Sequence, residues 1–135
     1  MLILALKPIV QKKPTDKTAL ILSTTKGNIS ELNTSSDEIS EKVYLQNLAK
    51  TIADFFDFKT QPIVVSNACV SGILAIATAK RLIQAEIYDD AYVIAGDEFS
   101  EFVLSGFTSF QALSDTPCKP YDEARNGLNL GEATA

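Results

Sequence analysis

The chain has 135 residues, 46% hydrophobic and 21% charged, with a net charge of −5, the balance of one globular domain or part of one. No basic run is longer than Lys12-Lys13, which excludes nucleic acid and anionic membrane surfaces as partners. There is no histidine, and the two cysteines, Cys69 and Cys118, sit in unlike contexts; these residues alone complete neither a Cys-His pair, nor a Ser-His-Asp triad, nor a zinc site.

Leu2, Ile3, Leu6, Ile9 and Val10 recur at helical spacing and predict an amphipathic helix over residues 2–12, ended by Lys13-Pro14. This opening has no positive leading segment and no small-residue cleavage site, so it does not read as an export signal. No run approaches the ~18 apolar residues of a membrane span. A cytoplasmic protein with reduced thiols is expected.

Thr18 to Ser23 reads as a buried strand, and Thr24 to Ser36 as a polar loop. Ser36-Asp37-Glu38, leading to Ser40-Glu41, is a capping signal for a long helix. Val43, Leu48, Ile52 and Phe55/Phe56 mark its buried side. Pro62 to Ser66 is a second buried strand. Cys69 to Ala85 has helical periodicity in Ile73, Leu74, Ala77 and Leu82, with its first turns expected buried and its last, carrying Lys80 and Arg81, exposed.

Asp89-Asp90 form a solvated turn before a third strand, Ala91 to Ala95. Phe99 to Leu113 reads as one or two short helices with Phe107 and Phe110 in the core, Ser114 to Tyr121 as a loop, and Gly127 to Leu130 as the start of a strand. Alternating strands and helices predict an α/β fold with a mostly parallel sheet and helices on both faces. The chain stops just after that last strand begins, so a fragment of a longer polypeptide is expected.

The segment that carries chemistry is Ser66-Asn67-Ala68-Cys69-Val70-Ser71-Gly72, between a strand and a helix. At such a junction the free N–H groups and the macrodipole favour a thiolate. The same N–H groups can stabilise the oxyanion formed when a thiol attacks a thioester. Small neighbours, Ala68, Ser71 and Gly72, allow a tight turn beside the sulfur. The alternative is a buried, inert cysteine acting as a small hydrophobe. A second segment, Lys119-Pro120-Tyr121-Asp122 through Arg125-Asn126-Gly127-Leu128 to Gly131-Glu132, reads physically as a proline-led loop. It has an Asp122–Arg125 pair and glycines where backbones approach closely. Asp97 and Glu98 are adjacent on an extended segment and point to opposite sides, which fits structural roles better than shared acid–base work. Cys118 is a bystander.

Taken in order, these segments resemble the elongating β-ketoacyl-acyl-carrier-protein synthases. Asn67-Ala68-Cys69-Val70-Ser71-Gly72 is similar to their Thr/Ser-Ala-Cys-Ala-x-Gly, and Ile94-Ala95-Gly96-Asp97-Glu98 stands where they have Ala-Gly-Gly-x-Glu. Gly106-Phe107 through Ala112-Leu113-Ser114 resembles their Gly-Phe…Ala-Leu-Ser. The segment from Lys119 to Glu132 is similar to their Arg-Pro-Phe-Asp…Arg-Asp-Gly-Phe-x-x-Gly-Glu-Gly. The likeness is clear over 61–135 and weak over 1–60.

The resemblance implies an incomplete thiolase-like fold whose C-terminal half is absent. It makes Cys69 the acyl-accepting nucleophile, set in a turn made by Ala68, Val70, Ser71 and Gly72. Asp122, Arg125, Gly127, Gly131 and Glu132 then form a structural motif. The implied reaction is decarboxylative condensation with malonyl-acyl-carrier protein, in fatty acid or polyketide-type synthesis. It needs no cofactor or metal. The implied partners are an acyl carrier protein, which the basic pair Lys80-Arg81 would suit, and a second subunit in a homodimer or heterodimer. The assisting histidines and lysine of the family lie beyond these residues, so the chain alone is expected to be inactive in condensation. The alternative is a non-catalytic, ketosynthase-like partner or binding protein, against which the retained cysteine argues. Asn67 and Val70 depart from the family pattern at the acyl site; Leu128 and Ala133 depart at positions expected to serve packing.

Overall fold

The computed structural model describes residues 1–33 and 39–135. Its elements run α1 (Leu2–Leu6), β1 (Thr18–Ser23), α2 (Leu45–Phe55), β2 (Ile63–Val65), α3 (Ser71–Gln84), β3 (Asp90–Asp97), α4 (Glu101–Ser109) and β4 (Ala133–Thr134). Short 3-10 helices at Ile29–Asn33 and Glu41–Val43 precede α2.

The sheet order is β2-β1-β3-β4. β1 is parallel to β2 in the register Ile21–Ile63, and parallel to β3 in the register Thr18–Asp90. β4 closes the far edge antiparallel to β3, with Asp97 opposite Ala133. The parallel pairs are joined through α2 and α3, as crossover connections require.

All six residues of β1 are buried because both faces of the strand are covered. Leu20 and Leu22 point to one face, where they meet Leu6 of α1, Ala49, Ile52 and Ala53 of α2, and Ile94 of β3. Ala19 and Ile21 point to the other, against Ala75 and Ala79 of α3. The alternation is the two-residue period of a strand. This bears out the expected α/β sheet with helices on both faces.

Several expectations need correction. The first helix ends at Leu6, short of residue 12, because Pro8 has no N–H to return to the carbonyl of Leu4. The long helix begins at Leu45, since Tyr44 is extended (φ −69°, ψ 127°) and separates it from the 3-10 turn that Ser40 caps; the signal at Ser36-Asp37-Glu38 lies outside the described residues. On α2 Ile52 is buried as expected and Leu48 and Phe56 pack against the core, but Ala49 and Ala53 are buried with them and Phe55 is exposed. On α3 the buried residues are Ser71, Ala75 and Ala79, spaced four apart, and Ile73 (73%) and Ile76 (62%) are open to solvent. Small residues let that helix lie close on the sheet, and the bulky ones are turned away.

A further correction concerns the last strand. Gly127 to Leu130 forms only an isolated bridge between Leu128 and Leu113, and pairing with the sheet begins at Ala133. Phe110 is 78% exposed rather than in the core, and Phe107 is partly buried. Among the described residues no helix is long and apolar enough to cross a membrane.

Candidate functional site

Cys69 lies in the five-residue connection between β2 and α3, two residues before the helix begins, and is exposed. The reading of an inert cysteine buried as a small hydrophobe therefore does not describe it. Val70 is the helix N-cap residue (φ −97°, ψ 4°) and is also exposed. Ala68, immediately before the cysteine, has φ of +45°. That left-handed conformation costs a residue with a Cβ about 1–2 kcal/mol.

Ser71 closes the turn. It is 5% exposed, and its Oγ accepts a hydrogen bond from the Asn67 N–H at 2.7 Å while donating one to the Ala68 carbonyl at 2.7 Å. The Ser71 N–H donates to the same carbonyl at 3.2 Å. Two side-chain bonds at about 0.5–1.5 kcal/mol net each are of the size needed to offset the strain at Ala68. Gly72 faces β3: a Cβ built there would be 3.9 Å from the Cβ of Ala95, ordinary contact.

Asp97 and Glu98 both reach the segment that follows β1, so they do not point to opposite sides as adjacent strand residues would. The reason is that β3 ends at Asp97. Asp97 Oδ1 accepts from Thr24 Oγ1 (2.7 Å), the Thr25 N–H (2.9 Å) and the Lys26 N–H (3.2 Å), and Oδ2 accepts from Thr25 Oγ1 (3.1 Å). Glu98 Oε1 accepts from the Ser30 N–H at 3.0 Å and from its hydroxyl. Glu132 Oε2 accepts from the Phe99 N–H at 3.1 Å. The three carboxylates border a cavity of about 310 Å³ whose apolar wall includes Leu2, Ile3, Leu48 and Ile52. Cys69 is not among its lining residues. Sequence reasoning missed this network. Its only local sign was the pair Thr24-Thr25 followed by Gly27, in a stretch read as plain loop.

The second segment folds as an exposed loop. Arg125 does not pair with the Asp122 carboxylate: its Nη1 donates to the Asp122 backbone carbonyl at 3.0 Å, and Asp122 Oδ1 accepts from the Ala124 N–H at 2.7 Å. Gly127 has φ of +139°, and a Cβ there would come within 2.8 Å of backbone atoms of Ala112, Leu113 and Ser114. Gly131 has open space around it, so close approach of backbones occurs at the first glycine and not the second. Leu128 and Ala133, expected to pack, are exposed. Their backbones hold them instead, Leu128 through its N–H to the Ala112 carbonyl and Ala133 through β4. Cys118 is exposed, with its N–H donating to Asn129 Oδ1 at 2.7 Å.

Comparison with known proteins agrees with this architecture. The chain is similar in structure to a ketosynthase in complex with its chain length factor from Xenorhabdus doucetiae, with TM-score 0.76 and 23% identity over 98% of this chain and 38% of that one. It is also similar to a β-ketoacyl synthase from Burkholderia phymatum, with TM-score 0.71 and 22% identity over 92% of this chain and 35% of that one. A third likeness is to the ishigamide ketosynthase/chain length factor, with TM-score 0.65 and 20% identity over 92% and 36% of the two chains. The chain thus spans less than two fifths of each of these structures. No curated protein sequence matches it. The family model for the β-ketoacyl synthase N-terminal domain matches residues 11–135, and the chain accordingly belongs to the β-ketoacyl synthase family.

Proposed function

We propose that Cys69 is the acyl-accepting nucleophile of a β-ketoacyl-acyl-carrier-protein synthase. The observation that carries this reading is the place of the thiol: exposed, at a strained turn between a parallel strand and a helix N-terminus. Its thiolate attacks the thioester carbonyl of an acyl-carrier protein. The tetrahedral oxyanion collapses, the bond to the carrier sulfur breaks so that the carrier leaves as its thiolate, and the acyl group remains on the Cys69 sulfur. A malonyl thioester then loses CO₂, and the resulting enolate attacks the acyl carbonyl. A carbon–carbon bond forms, the bond to Cys69 sulfur breaks, and the thiolate is regenerated.

The turn residues Ala68, Val70, Ser71 and Gly72 shape the approach to the sulfur. In the later segment Glu132 ties the chain to the backbone just past β3 through the Phe99 N–H, Gly127 lets it cross close to Ala112, Leu113 and Ser114, and Asp122 and Arg125 brace the loop between them. Because these 135 residues contain no histidine, the chain by itself accepts an acyl group but does not promote decarboxylation. The partners on this reading are acyl and malonyl carrier proteins and a second, related subunit. A second reading, a non-catalytic partner subunit, has support in the fact that two of the similar structures pair a ketosynthase with a chain length factor. Retention of the cysteine favours the enzyme.

The test is intact-mass analysis after limited iodoacetamide. Both thiols are exposed, so a rate ratio reports activation and not access. Cys69 is expected to label faster, and incubation with an acyl-carrier protein should add one acyl mass that Cys69→Ala abolishes. Equal labelling, or faster labelling of Cys118, would overturn the assignment.

A further inference from the structure

Resting on the nucleophile reading of Cys69, we infer that Ser71 is a positioning residue that holds the sulfur in its reactive setting by clamping a strained backbone. The clamp spans the cysteine in sequence: one bond of Ser71 Oγ goes to Asn67 and the other to Ala68, both before Cys69, while Ser71 itself opens α3 behind it. A hydroxyl is needed there because it must both accept and donate at one atom. An alanine would do neither. The burial of Ser71 leaves little water to replace it.

Ala68 is the residue that requires holding. With φ of +45° it tends to relax toward the ordinary negative region. Such relaxation would rotate the peptide that precedes Cys69 and redirect its side chain relative to the N-terminus of α3. The direction of the thiol is then set two residues downstream, by a side chain that never touches the substrate.

This makes a coupled prediction. Ser71→Ala should speed hydrogen exchange of the Asn67 amide about tenfold or more and lower the Cys69-to-Cys118 iodoacetamide rate ratio. Ser71→Thr, which keeps a hydroxyl, should restore both. Ala68→Gly placed in the Ser71→Ala background should restore the rate ratio without restoring Asn67 protection, because glycine accepts the left-handed conformation unaided.

Faster Asn67 exchange with an unchanged rate ratio would reduce the clamp to a structural bond and overturn the positioning role. Failure of Ser71→Thr to restore the ratio would do the same. A native Cys69 that labels no faster than Cys118 overturns the nucleophile reading instead, and Asn67 exchange then still reports whether the clamp exists.

Discussion

Asp57 sits just past the end of α2 with φ of +60° and accepts ion pairs from two lysines, Lys13 at 2.7 Å and Lys59. Hydrogen bonds from these two cations hold its carboxyl at about 2, below the ordinary 3.8, and Lys13 is raised in return by the same carboxylate. The folded-state value of Asp57 is depressed, so its contribution is present above pH 3.8 and lost as pH falls from there through about 2. Lys13 contributes below 10.5 and loses its contribution as pH rises through its raised folded value. All three side chains are well exposed, so the effect is small and screened by salt. Asp57→Asn keeps a residue type that tolerates left-handed backbone. Urea midpoints of the two proteins should differ slightly at pH 7 and converge by about pH 2. They should also converge at pH 7 in 1 M salt. A difference that persists under both conditions would mean that Asp57 acts through something other than its charge.

At the scale of elements, β1 was legible to the residue, because an apolar run bounded by turn chemistry has few other uses in an α/β chain. The extent of α1 was not, since periodicity continues past Pro8 while the hydrogen bonds do not. On α3 the apolar pattern pointed to Ile73 as a core residue; the helix instead approaches the sheet through Ala75 and Ala79, and spacing alone cannot tell which of two apolar faces is the inner one. The position of Cys69 was readable from the strand-to-helix junction. The Ser71 bonds and the Asp97 network were not, because they depend on backbone angles and on contacts across some 70 residues. In the loop after α4, Gly127 is the residue with the least tolerance. Gly127→Ala forces a Cβ to within 2.8 Å of backbone at a φ that costs of order 1–3 kcal/mol. It should accelerate exchange of the Ser114 and Leu128 amides, which bond across this loop, about tenfold or more. Unchanged exchange at both amides would show that the loop is not held at that crossing.

For the molecule as a whole, the apolar surface left open on α3 is the dominant feature. Ile73, Ile76, Ile83 and Ile87 lie along and just beyond one side of that helix, all exposed, with Lys80 between them. Contiguous apolar surface of this kind drives association in water. Sedimentation velocity should therefore show concentration-dependent oligomers of the chain, shifted toward monomer by the double change Ile73→Ser with Ile76→Ser. A native chain that stays monomeric across the same concentrations would rule this out.

β1 has a further implication for how the chain acquires its shape. Its backbone bonds join Ile21 to Ile63 on one side and Thr18 to Asp90 on the other, so the most completely buried strand is made first and is paired on both edges only once β2 and β3 exist. Closing those distant pairings slows folding of parallel sheets. During synthesis the stretch TALILS must wait, unpaired on both edges, for two later strands to emerge from the ribosome. Anything that delays β3 lengthens that wait and with it the time open to aggregation or chaperone capture.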